Sequence, residues 1–307
     1  MPELPDVAVY VECIAARVVG ETLDRIVLGN PFVLRSVTPR PSEVEGRRVT
    51  GVSRLGKRIV LELEDDAFVV IHLMVAGRFQ WKERPQGAAA LRLKGRNQLA
   101  AFDFSSGRLQ LTEAGTKRRA SIHLAQGAEA LAEHDRGGLE PLEASFEQFC
   151  EVLDRENHTL KRTLTDPRLY SGIGNAYSDE ILLRARLSPM KWSTKLNENE
   201  RRALYRATQD VLVEWTDRLR AEVGDGFPKK VTAFRPEMAV HGKYKEPCPD
   251  CSESVQRIVY AENECNYCAA CQTGGRLLAD RALSRLLRKD WPKTVQELEE
   301  RRGPSES

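Results

Sequence analysis

Ser171-Gly172-Ile173-Gly174-Asn175-Ala176-Tyr177-Ser178-Asp179-Glu180-Ile181-Leu182 reads as a glycine-punctuated turn running into a helix. Glycines let the backbone come close to a ligand, and the exposed amides at the helix start attract phosphate. Strand signals are absent from about 128 to 225, and helical patterns occupy Ser145–Arg155, His158–Thr165, Ala176–Ala185 and Asn197–Val223. A second short break, Asp166-Pro167, precedes the glycine turn. Two turns thus separate consecutive helices, set them at angles and leave helix N-termini facing outward.

Upstream the pattern is different. Short β-branched and apolar runs at Arg25–Leu28, Arg48–Val52, Arg58–Leu63, Phe68–Leu73, Leu99–Phe104 and Leu109–Leu111 alternate with turn signals such as Glu64-Asp65-Asp66 and Ser105-Ser106-Gly107. These predict a β-rich domain, a sandwich. Before it, Val7, Tyr10, Val11, Ile14 and Val18 repeat with helical spacing and Gly20 stops the run, so a first helix starts almost at the terminus.

Downstream lies a cysteine cluster. Of seven cysteines, five fall between 248 and 271, while Cys13 and Cys150 stand alone. Cys248-Pro-Asp-Cys251 and Cys268-Ala-Ala-Cys271 are two CxxC knuckles 16 residues apart, the spacing that closes a thiolate tetrahedron around zinc. Cys265-Asn-Tyr-Cys268 is also CxxC, so the second knuckle has an alternative three residues earlier; we take Cys268 and Cys271. Four sulfurs leave no open coordination position, so the expected Zn2+, one per chain, is structural: it supplies folding energy to a segment too short for its own core.

The chain of 307 residues is long enough for several domains, expected at 1–127 (helix and β-sandwich), 128–225 (helices and turns), 226–272 (zinc finger) and 273–307 (helical extension and tail). That makes the fold class α+β and multidomain. Leu277, Leu278, Leu283, Leu286 and Leu287 carry the helical pattern of the extension, expected to pack on the finger's outer face. Forty-seven basic against 45 acidic side chains give a net charge of only +2, so any polyanion-binding surface must be local. No apolar run approaches the roughly 18 residues that span a bilayer, and no basic-then-apolar leader opens the chain. The expectation is an unexported, cytoplasmic monomer with no membrane partner.

The terminus itself offers chemistry. Removal of Met1 ahead of a small residue leaves Pro2 as a free secondary amine. α-Amino groups have a reference pKa of roughly 8, so a useful fraction is unprotonated near neutrality and able to attack an aldehydic carbon. Glu3 is placed to act as acid or base.

Pro2-Glu3-Leu4-Pro5-Asp6, Gly56-Lys57-Arg58, His72-Leu73, Gly172-Ile-Gly-Asn175-Ala-Tyr177-Ser-Asp-Glu180-Ile-Leu182 and Cys271-Gln272 follow one another at about the spacing of a known family. Over about 1–272 the chain resembles the formamidopyrimidine-DNA glycosylase and endonuclease VIII family of bacterial base-excision enzymes. The resemblance implies a β-sandwich preceded by the N-terminal helix, then a helix-two-turn-helix domain, then a C-terminal zinc finger, gripping damaged double-stranded DNA. It implies Pro2 as the imine-forming nucleophile, Glu3 as the acid/base and Lys57 as a phosphate-contacting lysine of the catalytic group. His72, Arg118, Arg119 and Asn175 become DNA contacts that position the duplex without reading its sequence. The implied activity is a bifunctional glycosylase and abasic-site lyase on flipped oxidised bases, with oxidised purines such as 8-oxoguanine or formamidopyrimidine favoured. Alternatives are an oxidised-pyrimidine enzyme of the endonuclease VIII type and a lesion- or abasic-site-binding protein with weak turnover.

Three positions depart from the family pattern. The finger arginine, five residues before the third zinc cysteine, falls on Asn263 between two glutamates, leaving Arg257 or Arg276 as substitutes. The Arg-Arg-Phe wedge aligns with Arg118-Arg119-Ala120, so its aromatic is missing. The intercalating methionine falls at Met74 or Val75. A base-capping segment is expected within Gly226–Val240.

Overall fold

The computed structural model describes residues 1–83, 93, 95–115, 117–229, 231, 234–260, 263–279 and 291–302. Packing divides the chain into two compact units: Met1–Gly137 with Glu214–Thr232, and Gly138–Val213 with Ala233–Ser307.

The first unit begins with helix α1 (Leu4–Val18), which has proline in its first turn and Val7, Tyr10, Ile14 and Val18 fully buried. Two four-stranded antiparallel sheets follow. One is ordered β1 (Arg25–Leu28), β6 (Gln98–Asp103), β7 (Gly107–Glu113), β5 (Gly77–Glu83); the other β2 (Val49–Leu55), β3 (Arg58–Leu63), β4 (Ala67–His72), β8 (Ser121–Gln126). Alternate residues Ile59, Leu61, Leu63, Val69, Ile71, Ile122 and Leu124 of the second sheet share one core with Phe79, Phe102, Leu109 and Leu111 of the first. These residues alternate towards the shared core, and between them Val60, Val70, Ala101 and Gln110 are buried as well. Tyr10 of α1 joins that core, its hydroxyl accepting the Phe79 N–H at 3.3 Å. Phe227 and Val231 pack into it too, although they lie far along the chain. Short helices α2 (Pro41–Val44) and α3 (Ala128–Ala132) complete the unit.

Strands β5 and β8 were not expected. Gly77-Arg-Phe-Gln-Trp-Lys-Glu83 is half polar, and Ser121–Gln126 is interrupted by His123, so neither shows the apolar run that marks the others. Both alternate, and burial of Phe79, Ile122 and Leu124 holds them.

The second unit contains α4 (Phe146–Arg155), α5 (Leu160–Thr165), α6 (Asn175–Arg184) and the start of the long helix α7 (Glu198–Val223). Ser145 caps α4 by accepting the Gln148 N–H at 3.3 Å, in a capping box. Asp166 ends α5, accepting N–H bonds from Leu169 and Tyr170 through its carbonyl, and Gly172 at φ 77° makes the second turn before α6. This is the helix-two-turn-helix arrangement. Beyond it the antiparallel hairpin β9 (Val255–Tyr260) and β10 (Asn263–Cys268) leads into α8 (Ala269–Thr273), which Gly274 ends in the left-handed conformation.

Of the expected extension, helix α9 (Val295–Arg302) is described; Leu283, Leu286 and Leu287 lie outside the described residues. Val295 and Leu298 pack with Leu277 and Leu278 against Ile258, Tyr267 and Ala269 of the finger. The described part of Gly226–Val240 forms no helix or strand. No described helix is long and apolar enough to cross a membrane.

Candidate active site and metal centre

Strand pairing brings the first group of candidates together. Leu55 pairs with Arg58 across a two-residue turn, Gly56-Lys57, in which Gly56 takes φ 62°. Lys57 therefore stands at a hairpin tip. Arg58 pairs with His72 on the next strand, so Lys57 and His72 are neighbours through register alone. The buried residues Pro2 and Glu3 lie at the start of α1, where the Glu3 N–H donates to the Asp6 carboxylate at 3.0 Å.

Charge ties these residues to one place. Burial lowers the pKa of the terminal amine, here on Met1; Arg78 and Lys57 push it the same way, while Glu3 and Asp6 oppose them. All four side chains lie within electrostatic reach of that nitrogen. Burial, followed by the charges of Arg58 and Lys57, holds His72 at about 4, so its imidazole is neutral at physiological pH. Its Nδ1 faces the Met74 thioether. Met74 takes a left-handed φ of 53°, whereas Val75 beside it is 61% exposed.

Arg78 is a site residue that sequence reasoning missed. Its guanidinium donates to the carbonyls of Val75 and Gly77, at 3.1 and 2.6 Å, and lies near Asp6 and Glu113. Glu113 is buried and accepts the backbone N–H groups of Arg119 and Ala120 at 3.0 to 3.1 Å, pinning the loop of Arg118 and Arg119. Arg118 is half-buried and Arg119 exposed. Ala120 is buried, so no wedge projects from that position.

In the second unit, Asn175 opens α6 and its Nδ2 donates to the Glu264 carbonyl of β10 at 2.8 Å. Behind it the buried Lys161 ammonium donates to the Asn175 carbonyl (2.6 Å), Ser178 Oγ (2.8 Å) and Asp179 Oδ1 (2.6 Å). The other Asp179 oxygen meets His241 Nδ1 at 2.8 Å and the Asn266 N–H at 3.2 Å. Glu180 accepts the backbone N–H groups of Ala239, Val240 and His241. The acids after the glycine turn thus fasten α6 to the finger and the segment before it. Lys161 and His241 carry no local sequence signal for this, because their partners are remote in the chain.

Cys248, Cys251, Cys268 and Cys271 bring their sulfurs within 4.8 Å of one another. A tetrahedron with metal–sulfur bonds of about 2.3 Å has edges of about 3.8 Å, so this donor set fits a metal ion. Gln272 braces it, accepting the Cys268 N–H at 2.8 Å and donating to the Leu187 carbonyl at 2.9 Å. Cys265 is buried apart from these sulfurs, beside Asp179, and burial raises its thiol pKa well above the usual value. Of the substitutes for the finger arginine, Arg257 stacks on Tyr244 at 4.2 Å and meets Glu264 at 3.3 Å, whereas Arg276 is exposed and pairs through its backbone with Thr294.

Comparison with known proteins agrees over both units. Residues 1–122 match the family model for the formamidopyrimidine-DNA glycosylase N-terminal domain, and residues 138–218 that for its H2TH domain. The chain is 34% identical over 282 residues to a formamidopyrimidine-DNA glycosylase of Thermus thermophilus, covering 90% of this chain and all of the relative. A formamidopyrimidine-DNA glycosylase of Heliobacterium modesticaldum is 30% identical over 286 residues, covering 89% of this chain and all of that one. The crystal structure of the Thermus thermophilus protein superposes with a TM-score of 0.71 at 31% identity, covering 88% of this chain and 98% of that one. The Lactococcus lactis enzyme, non-covalently bound to abasic-site DNA, shares the fold with a TM-score of 0.74 at 24% identity, covering 88% and 99%. The chain belongs to the formamidopyrimidine-DNA glycosylase family.

Proposed function

We propose that the protein is a bifunctional DNA glycosylase and abasic-site lyase that flips and excises oxidised bases, oxidised purines first, from duplex DNA in base-excision repair. The observation that carries this reading is the gathering of Glu3 and Lys57 within electrostatic reach of the terminal nitrogen. A base inside a duplex is out of reach, so the nucleotide must first leave the stack, at a cost of a few kcal/mol that a damaged pair reduces.

With Met1 removed, the lone pair of the Pro2 nitrogen attacks C1′ and the bond from C1′ to the base breaks. The base departs with the electron pair and takes the proton that the Pro2 nitrogen releases. Glu3 protonates the ring oxygen as the sugar opens, leaving an iminium between Pro2 and C1′. That cation acidifies the C2′ proton; its loss expels the 3′ phosphate, and water then releases the sugar. Pro2 is buried, and burial of an amine favours its unprotonated, nucleophilic form. Lys57, His72, Arg118, Arg119 and Asn175 hold phosphates. Cys248, Cys251, Cys268 and Cys271 hold a structural zinc ion that orders the hairpin, and no reaction step runs through it.

Borohydride trapping tests the reading. Protein of verified intact mass, mixed with a duplex carrying 8-oxoguanine or an abasic site, should give a covalent adduct that Pro2→Gly abolishes. Absence of adduct, or an adduct undiminished in Pro2→Gly, removes the imine mechanism. Asn263 and the missing aromatic wedge favour a second reading, a lesion-binding protein with weak turnover, which predicts tight binding without adduct.

A further inference from the structure

The face of the sheet β2-β3-β4-β8 opposite the core carries a half-buried cluster, around the buried Val60 and Val70, that the proposed chemistry does not use. Residues paired across antiparallel strands share a face, so Arg58, His72 and Ser121 form one row, and Val60, Val70 and His123 the next. The opposite face, with Ile59, Ile71 and Ile122, is the core. Over His123 lies His134, from the turn after α3, with ring centroids 4.6 Å apart. Arg136 follows in that turn, and Arg35 reaches the same strand, its N–H donating to the Ile122 carbonyl at 2.8 Å.

The surroundings of these rings are almost wholly positive. His123 is destabilised as a cation by burial first, then by His134, Arg58 and Arg35. Arg58 is itself opposed by Arg136, and His134 by Arg58. The carboxylates near by are few: Glu133 and Asp135, both exposed, favour His134 and Arg58 respectively, and Glu62 lies one row further on the same face. β2 offers only Leu55, Ser53 and Gly51 to that face. Among the described residues, the side chains of Arg35, Arg58, His123, His134 and Arg136 make no hydrogen bond or ion pair. Three of the chain's five histidines, with three arginines, so occupy one patch in a protein of net charge +2.

Such a concentration of like charge opposes its own formation unless an anion completes it. We propose that Arg35, Arg58, His72, His123, His134 and Arg136 form a phosphate track, which takes the nucleic-acid backbone beyond the contact at His72 and captures protons as it binds. The inference rests on the DNA-repair reading and adds to it a second, titratable stretch of contact. Burial first, then neighbouring cations, favours the neutral forms of these histidines in the free protein. A phosphodiester between them favours their charged forms, so binding takes up protons and tightens as pH falls. A rise of one pKa unit on one histidine is worth about tenfold in affinity.

The test uses zinc-loaded full-length protein and a duplex with an uncleavable tetrahydrofuran lesion, followed by fluorescence anisotropy from pH 8.0 to 5.5 and across salt. The wild type should tighten by about tenfold. His123→Gln/His134→Gln should flatten most of that change, and His134→Arg should tighten binding at pH 8.0 while reducing its pH dependence. Arg136→Ala, at an exposed position, should lower the salt slope by about one. Native circular dichroism of each variant controls for folding. If the wild type binds and the variants keep its pH and salt profiles, the track is refuted while the repair reading stands. If the wild type does not bind the duplex, the repair reading fails as well.

Discussion

His72 shows how one side chain can set the pH dependence of stability. Burial and neighbouring cations hold its pKa at about 4, against 6.5 in the unfolded chain. The unfolded chain therefore binds a proton between those values that the native protein refuses. Stability from the neutral ring is fully present above about 6.5 and is lost as pH falls through 6.5 towards 4, by about 2 kcal/mol at pH 5. Urea unfolding at pH 7.5 and 5.0 should show that loss reduced in His72→Gln; equal losses in both proteins would contradict it. Pro2, Glu3, Lys57 and His72 could be singled out as candidates because each sits in a short motif, and Asp6 closes the first of those motifs without showing what it holds. Arg78 and Glu113 could not: their roles depend on strand β5, whose polar alternation hides it, and on pairings remote in sequence.

Among the elements, α6 was readable because its glycine turn is a local signal, although Asp179 and Glu180 fall beyond its first turn. What the acids do was unreadable. Glu180 takes three backbone N–H groups, from Ala239, Val240 and His241, at 2.8 to 2.9 Å. Glutamine offers one acceptor oxygen and turns an amide donor towards a donor. Glu180→Gln should cost about 2–3 kcal/mol, read as a lower denaturant midpoint. A change below about 0.5 kcal/mol, the size of an ordinary surface substitution, would refute this role. The return of Phe227 and Val231 to the sandwich core escaped the sequence for the same reason: a contact far along the chain leaves no periodicity.

For the whole molecule, near-neutral composition concealed where charge collects, whereas cysteine spacing disclosed the four-cysteine cluster. The sulfurs of Cys248, Cys251, Cys268 and Cys271 converge, and Cys265 sits apart beside Asp179. Elemental analysis should find one zinc per chain in the wild type and in Cys265→Ser, and none in Cys268→Ser. Chelation should open the β9–β10 hairpin to proteolysis, since so short a segment depends on its ion. Loss of zinc in Cys265→Ser would overturn the ligand assignment.

Chain ends ordinarily fray. This one cannot do so easily: Leu4, Val7 and Tyr10 are buried within the first two turns of α1, and the far end of the helix is held by Arg17, whose guanidinium donates to the carbonyls of Asp225 and Gly226. The conformational freedom of Pro2 and its neighbours is thus surrendered when the protein folds. On the proposed chemistry, capture of a lesion then need not order the Pro2 nitrogen, so amides of residues 7 to 14 should exchange as slowly in free protein as in complex with DNA.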